Sequence, residues 1–363
     1  MTLDDPSTIN ATAQTPSTAW EEKCEPGENE LFKSFAERVI LERQKRVAGG
    51  GELMRGFHAK PHAGLTAEFE VLPDLPEYAR HGVFREPKVF PAVVRFSNGR
   101  TDPGPDKRPE PRGIAIKLVG VPGDKLLEDE RSAVTQDFLA TSHSLTSTVR
   151  DMKQFMAFVE LEKDGRVPFF QLARKVGIKE ALRILANLLF TVRFSKVRSM
   201  ATEHYGGTAP IKLGPYAVKF TVRPPEGTRP PADDLNLKDP NFLREELAAR
   251  LREGDLTFDF VVQFYVDEKR TPIEDTSVRW KPEHAPFVRL ARVRVPACDL
   301  DDPRTKALSD EINELAFTPW HAIEEHRPLG NVMRARKIAY PASAALRRHR
   351  PEPTSLPLKA GGE

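Results

Sequence analysis

The chain has 363 residues, with 55 Lys+Arg against 53 Asp+Glu, 39% hydrophobic and 30% charged residues, and a formal net charge of +2. That is enough chain for one large domain or two small ones, and it is neither a low-hydrophobicity disordered composition nor one with a nucleic-acid footprint. Two cysteines far apart in sequence, Cys24 and Cys298, exclude a disulfide framework and any cysteine-based zinc or iron–sulfur site. A reducing cytoplasm is the expected setting.

In chain order, residues 1–27 carry acids where a signal peptide would carry basic residues, with no apolar core behind them, so a disordered, uncleaved tail is expected there. Residues 28–47 place Leu31, Phe32, Phe35, Val39 and Ile40 at helical spacing before the Gly49-Gly50-Gly51 break. Six runs have β character: 65–72, 90–97, 113–120, 217–223, 256–266 and 289–295. They imply an antiparallel sheet or barrel. Several alternate with period two, as in Phe258, Phe260, Val262 and Phe264, the pattern of a sheet whose faces see different surroundings.

Between the third and fourth runs lies a helical insert, 150–200, with periodic Phe155, Met156, Phe158 and Val159 followed by a basic amphipathic piece, 172–197. That piece reads as a helix docked on the barrel with its Lys and Arg solvated, in preference to a site for a bulky anionic substrate. The longest apolar stretch, 184–192, is about half of the ~20 residues a spanning helix needs. Further helices are expected from near Asn241, over 302–315 and over 331–348, with a flexible tail at 351–363 and one domain over 28–350.

Dinucleotide, P-loop, hydrolase-elbow and zincin motifs are absent. Three islands remain. Arg55-Gly56-Phe57-His58-Ala59-Lys60 sits at a strand mouth. Val94-Arg95-Phe96-Ser97 sends Arg95 and Ser97 to the same side of a strand. On the last helix Arg336, Tyr340 and Arg347 share a face. An unperturbed tyrosine ionises near pH ~10, so a tyrosine acting as an anionic ligand needs a metal and a charge partner, a part Arg336 fits. Read alone, this helix is a solvated amphipathic face in preference to a ligand site.

Taken together, the islands resemble the catalase superfamily of haem proteins, from about Arg55 to Arg347. Arg55-x-x-His58-Ala-Lys followed by Ala67-Glu-Phe-Glu-Val looks like the distal histidine segment. Val94-Arg-Phe-Ser97 and Pro111-Arg-Gly-x-Ala-x-Lys117 look like the two strands after it, and Arg336-x-x-x-Tyr340-Pro341 like the proximal tyrosine segment. The resemblance implies haem b, with Tyr340 as the axial iron ligand, Arg336 as its phenolate partner, His58 as distal acid/base and Ser97 holding its ring. It also implies Arg55, Arg95 and Arg347 as propionate partners and Phe155 as a pocket aromatic. The chemistry asks for the same types: a hydroperoxide bound at iron must move a proton from its inner to its outer oxygen, and a positioned imidazole does that.

Departures are informative too. Full-length catalases carry a distal Asn where this chain reads Thr141-Ser142-His143-Ser144, so Ser142 or His143 takes the slot, and Phe57 precedes the distal histidine. The chain ends soon after Tyr340, without the C-terminal helical domain of large catalases. These features, with the 319–330 stretch, look more like small bacterial catalase-related proteins. The expected protein is therefore α+β, an antiparallel β-barrel surrounded by helices, with haem between the barrel mouth and the last helix. Its expected activity is peroxidase chemistry on organic hydroperoxides, including those of fatty acids, or on hydrogen peroxide. A low-turnover catalase, a hydroperoxide isomerase or lyase, and a haem- or lipid-binding barrel without turnover stay open as alternatives. So do a homodimer and a peripheral membrane contact.

Overall fold

The computed structural model describes residues 16–49, 51, 53–142, 148–162, 167–194, 197–347 and 350–356. Nine antiparallel strands occur among them: β1 Pro61–Val71, β2 Val89–Asn98, β3 Arg112–Val119, β4 Thr135–Ser142, β5 Tyr205–Gly206, β6 Ile211–Leu213, β7 Tyr216–Arg223, β8 Leu256–Phe264 and β9 Val288–Val295. Pairing runs from β5 through β4, β3, β2, β1, β9, β8 and β7, and β5 pairs back onto β7, so eight strands close a barrel and β6 is a hairpin partner of β7. Closure leaves those eight strands no free edge. The six expected runs became β1, β2, β3, β7, β8 and β9. The other three lacked a signal: β4 mixes Gln136, Asp137 and Thr141 with its apolar residues, and β5 and β6 are two and three residues long.

Alternation decides what lies inside. Phe69, Phe96, Phe138, Phe220, Phe258 and Phe260 fill the barrel, with ring centroids 4.9 Å apart for Phe138 and Phe260 and 5.2 Å for Phe220 and Phe260. Each such side chain stabilises the fold by roughly 1.5–3 kcal/mol relative to exposure. Their neighbours in the chain face outward, where Val93, Ala115 and Leu139 pack against Ile312 and Phe317.

Among the described residues eight α-helices wrap the barrel: α1 Glu28–Phe35, α2 Glu42–Ala48, α3 Met152–Leu161, α4 Phe169–Val176, α5 Ile178–Phe194, α6 Phe242–Glu253, α7 Pro303–Glu314 and α8 Asn331–Leu346. A π-helical turn, Ala36–Leu41, joins α1 to α2. Asp151 caps α3 by accepting from the Gln154 N–H, and Asp302 caps α7 with Pro303 in its first turn. Phe32, Phe35 and Ile40 pack with Met152, Met156 and Ala335, tying the first helices to α3 and α8.

Both expected tails are partly anchored. Ser17 N–H donates to the Tyr265 carbonyl, Trp20 Nε1 to the Pro215 carbonyl at 2.8 Å, and Glu22 pairs with Arg327 at 2.6 Å and Arg334 at 2.9 Å. Arg334 also reaches Glu28 and Glu274, so residues 17–28 strap the start of α8. The expected tail boundary at 27 therefore lies too far along the chain, because charge pairing on α8 supplies what the apolar pattern did not. Residues 1–15 lie outside the described ones.

At the other end the side chain of Glu352 is covered by β3 and β4, accepting from Lys117 Nζ at 2.5 Å and from the Thr135 hydroxyl. Lys117 also pairs with Asp137 at 2.8 Å, and His321 lies between Asp137 at Nδ1 (3.0 Å) and Glu130 at Nε2 (2.5 Å). Burial and the Lys117 charge lower the His321 pKa, but Asp137 and Glu130 outweigh them and hold it above the ordinary imidazole value. A folded pKa above the unfolded value of ~6.5 gives stability that is fully present below the unfolded pKa and is lost as pH rises through the folded one. We therefore expect the melting-temperature gap between wild type and His321→Gln to be widest near pH ~6 and to narrow as pH rises. Thermal unfolding across pH checks this, and a gap independent of pH would contradict it.

Candidate active site

The outer wall of the barrel carries the site. In the register, Ser97 lies opposite Gly113 and Gly113 opposite Thr141, so these three face the same way, outward, while Phe96, Ile114 and Ala140 point in. His58 lies on this row. Its Nδ1 is 3.0 Å from Ser97 Oγ, and a Cβ added at Gly113 would fall 2.6 Å from His58 Cε1 and 2.9 Å from Ser97 Oγ. Gly113 is required there because the imidazole rests directly on the strand backbone.

The backbone of His58 is held as firmly as its ring. It has a positive φ of 57°, the one such non-glycine residue among the described ones. Its N–H donates to the Gly99 carbonyl at 3.1 Å, and its carbonyl accepts from Arg95 at 2.9 Å. A conformation of this kind costs on the order of 1–3 kcal/mol and persists where surrounding bonds over-determine it, typically at functional sites. Burial, followed by the charges of Arg95, Arg336 and Arg55, lowers the His58 pKa to about 3, so the imidazole is neutral at physiological pH. With Nδ1 engaged by Ser97, Nε2 is the atom left for proton transfer.

Three guanidinium groups gather beside this wall. Arg95 donates from Nε to Asn313 Oδ1 at 2.9 Å, and Arg55 donates to the Asn313 and Leu315 carbonyls, each at 2.7 Å. Burial and then the charges of Arg95 and Arg347 push Arg55 well below the guanidinium range. Burial and the Arg347 charge bring Arg95 to about 9, and burial lowers Arg347. Among the described residues no ion pair involves any of the three, and the buried Nε atoms of Arg55 and Arg347 have no hydrogen-bond partner. Like charges gathered this way call for an anion. Asn313, which the sequence did not single out, orients two of them through α7.

On α8, Arg336 donates to Tyr340 Oη at 2.6 Å with its guanidinium carbon 4.7 Å from the ring centroid, and Arg347 caps the helix. Gln44 fastens this helix to the His58 segment: its amide donates to the Met54 carbonyl and its Oε1 accepts from the Ser343 hydroxyl at 2.8 Å. Phe155 packs against Phe57 and Phe35, each at 6.2 Å. Arg55, His58, Phe155, Arg336, Tyr340 and Arg347 are all half-buried, keeping an accessible edge beside packed core.

Two expectations need correction. The site lies on the outer wall and not at the barrel mouth, because Arg95 and Ser97 occupy the outward positions of β2. Ser142 points away from His58: it follows Thr141, faces the other side of β4, and its Oγ accepts from the Arg112 N–H at 2.9 Å. Thr141 is the residue in the row with Ser97 and Gly113. His143 lies outside the described residues. One cluster of possible metal ligands, Glu130, His321 and Glu352, occurs among the described residues. Lys117 lies among these groups and Glu130 and Glu352 flank opposite ring nitrogens of His321, so it is an ion-pair clasp.

With this geometry in place, the chain can be set against known proteins. No protein-family model matches it. A catalase-related peroxidase of Mycolicibacterium paratuberculosis is 26% identical over 278 residues, covering 71% of this chain and 78% of that one. Superposed on a bacterial catalase, 95% of this chain matches with a TM-score of 0.61 at 17% identity. A fungal catalase gives 0.63 at 16% over 95% of the chain, and catalase A of Saccharomyces cerevisiae 0.61 at 17% over 93%. The chain has the catalase fold. It spans 64–67% of the length of these solved catalases.

The residues of this catalase-like chain fit haem, the cofactor that likeness implies. Haem carries two carboxylates and an iron; the wall and α8 together offer three guanidiniums, one buried and two half-buried, with no ion pair among the described residues, a phenol held by a guanidinium and a neutral imidazole.

Proposed function

We propose that this protein is a haem-dependent peroxidase of the catalase-related type, a single domain binding haem b and reducing hydroperoxides, organic ones included, with electrons from an organic donor. The observation that carries the reading is the pairing of a neutral, rigidly held His58 with an Arg336–Tyr340 couple beside three unpaired guanidiniums. Tyr340 would hold the iron through its phenol oxygen, and Arg55, Arg95 and Arg347 would hold the haem carboxylates. When bound, haem supplies the redox-active iron at which the O–O bond is broken.

The chain's own residues supply position and proton movement. Arg336 fixes the Tyr340 oxygen by a hydrogen bond along one helix turn. His58 Nε2, on a neutral imidazole, would accept a proton from the bound hydroperoxide and return it to its outer oxygen. Ser97 and Gly113 keep the ring in place for both transfers. The sequence of 141–147 holds no Asn where full-length catalases carry one, and this difference in sequence supports a hydroperoxide carrying an organic group. No helix of the described residues is long and apolar enough to cross a membrane, and a cytoplasmic site of action belongs to the same reading.

The test is the absorption spectrum of protein produced with a haem precursor, before and after a hydroperoxide, with donor oxidation and oxygen release followed in parallel. We expect a Soret band that shifts on peroxide, donor oxidation exceeding oxygen release, and loss of the tyrosinate features in Tyr340→Phe. Oxygen release as the main outcome would make it a catalase, rearrangement without donor an isomerase, and haem retention without peroxide consumption a binding protein.

A further inference from the structure

The helical pair α4–α5 is apolar on two faces. One face is docked: Leu172, Ala181 and Ile184 are buried against Phe155, Phe158 and Leu161 of α3. Away from it the pair carries the four most exposed large hydrophobic side chains among the described residues: Phe170 at 85%, Leu189 at 69%, Ile178 at 66% and Leu182 at 56%. Ile178, Leu182 and Leu189 fall at i, i+4 and i+11, a single stripe along α5. A soluble surface scatters such residues singly, whereas a stripe of them marks a contact.

Charge says what the stripe meets. Between Phe169 and Leu189 the basic residues are Arg174, Lys175, Lys179 and Arg183, and the one acid is Glu180. Glu180 is already paired with Arg183 at 2.9 Å and Arg150 at 3.3 Å, while Arg174 and Lys179 are exposed. Exposed apolar side chains beside uncompensated basic ones are the pattern of a helix lying in a bilayer interface, with its apolar stripe among acyl chains and its cations at anionic headgroups.

We propose that α4–α5 is a membrane-docking element that seats the protein on an anionic lipid surface. The proposal stands apart from the peroxidase reading, since lipid binding requires no turnover. It adds to that reading a substrate source: Phe155 of α3 packs against Phe57, next to His58, and also against the docked pair, so α3 lies between the candidate site and the lipid-facing helices.

The full-length protein is sedimented with phosphatidylcholine vesicles with and without phosphatidylglycerol. We expect binding to the anionic vesicles alone, weakened by salt as charges near a surface are screened. Leu182→Glu/Leu189→Glu should lower that affinity about tenfold or more, since two apolar side chains are lost from the acyl region and two negative charges are set against anionic headgroups. Arg174→Glu/Lys179→Glu should remove the anionic preference. All four residues are exposed, so the melting temperature of both variants should match wild type. No binding to anionic vesicles, equal binding to neutral ones, or binding that survives both variants would overturn the proposal. So would a doubled mass in light scattering that Leu182→Glu/Leu189→Glu abolishes, which would assign the stripe to a second copy of the chain.

Discussion

Replacing His58 by alanine should lower hydroperoxide turnover by about 10²–10⁴-fold, the range for losing a positioned proton shuttle, while the Soret band persists. Haem retention is expected because the groups assigned to hold it, Tyr340, Arg336 and the three guanidiniums, do not bond to the His58 ring. Alanine also changes the backbone problem, since position 58 has φ of 57° and is pinned through its N–H and carbonyl by Gly99 and Arg95. His58→Asn separates the two effects, because asparagine tolerates the left-handed region and brings no imidazole. Stopped-flow measurement of peroxide consumption in both variants should give similar losses, with the asparagine variant the more stable. Full turnover in His58→Asn would remove the proton-shuttle role.

The apolar half of the fold was legible in the sequence and the polar half was not. Strands whose inward residues are bulky and whose outward residues are also regular, such as β8, were found within a residue or two. Strand β4 was missed because polar Gln136 and Ser142 stand at inward positions and apolar Leu139 at an outward one, which breaks the alternation. The same feature caused the Ser142 expectation: placing a residue in a slot needs the strand register, and a shift of one residue turns a side chain to the opposite face. The His58–Ser97 and Arg336–Tyr340 contacts were legible because their spacing lies within one segment or follows a family pattern. Asn313, Gln44 and the Glu352 clasp were not, since each acts across a separation of more than two hundred residues or between segments with no shared pattern. The stripe on α5 is a further case. Its periodicity announced a docked helix, and only exposure shows that a second apolar face is left outside.

Gly113→Ala tests the site without touching any group that reacts. The new Cβ would meet the His58 ring at 2.6 Å and Ser97 Oγ at 2.9 Å, inside any tolerable contact. Strand β3 is paired on both sides through Ser97 and Thr141, and the His58 backbone is fixed by two hydrogen bonds, so the ring must tilt and give up Ser97. A displacement near 1 Å at a proton-transfer atom costs about 10²-fold in rate. The strain should reduce stability by roughly 1–3 kcal/mol, as for other overpacked sites. We expect turnover to fall toward that of His58→Ala with the Soret band retained, and the Gly113→Ala/His58→Ala double variant to be little worse than His58→Ala alone. Such non-additivity follows when both changes act through one group. Additive losses would mean that the alanine acts through something other than the imidazole. Wild-type turnover in Gly113→Ala would show that the placement of the ring against β3 has no bearing on catalysis.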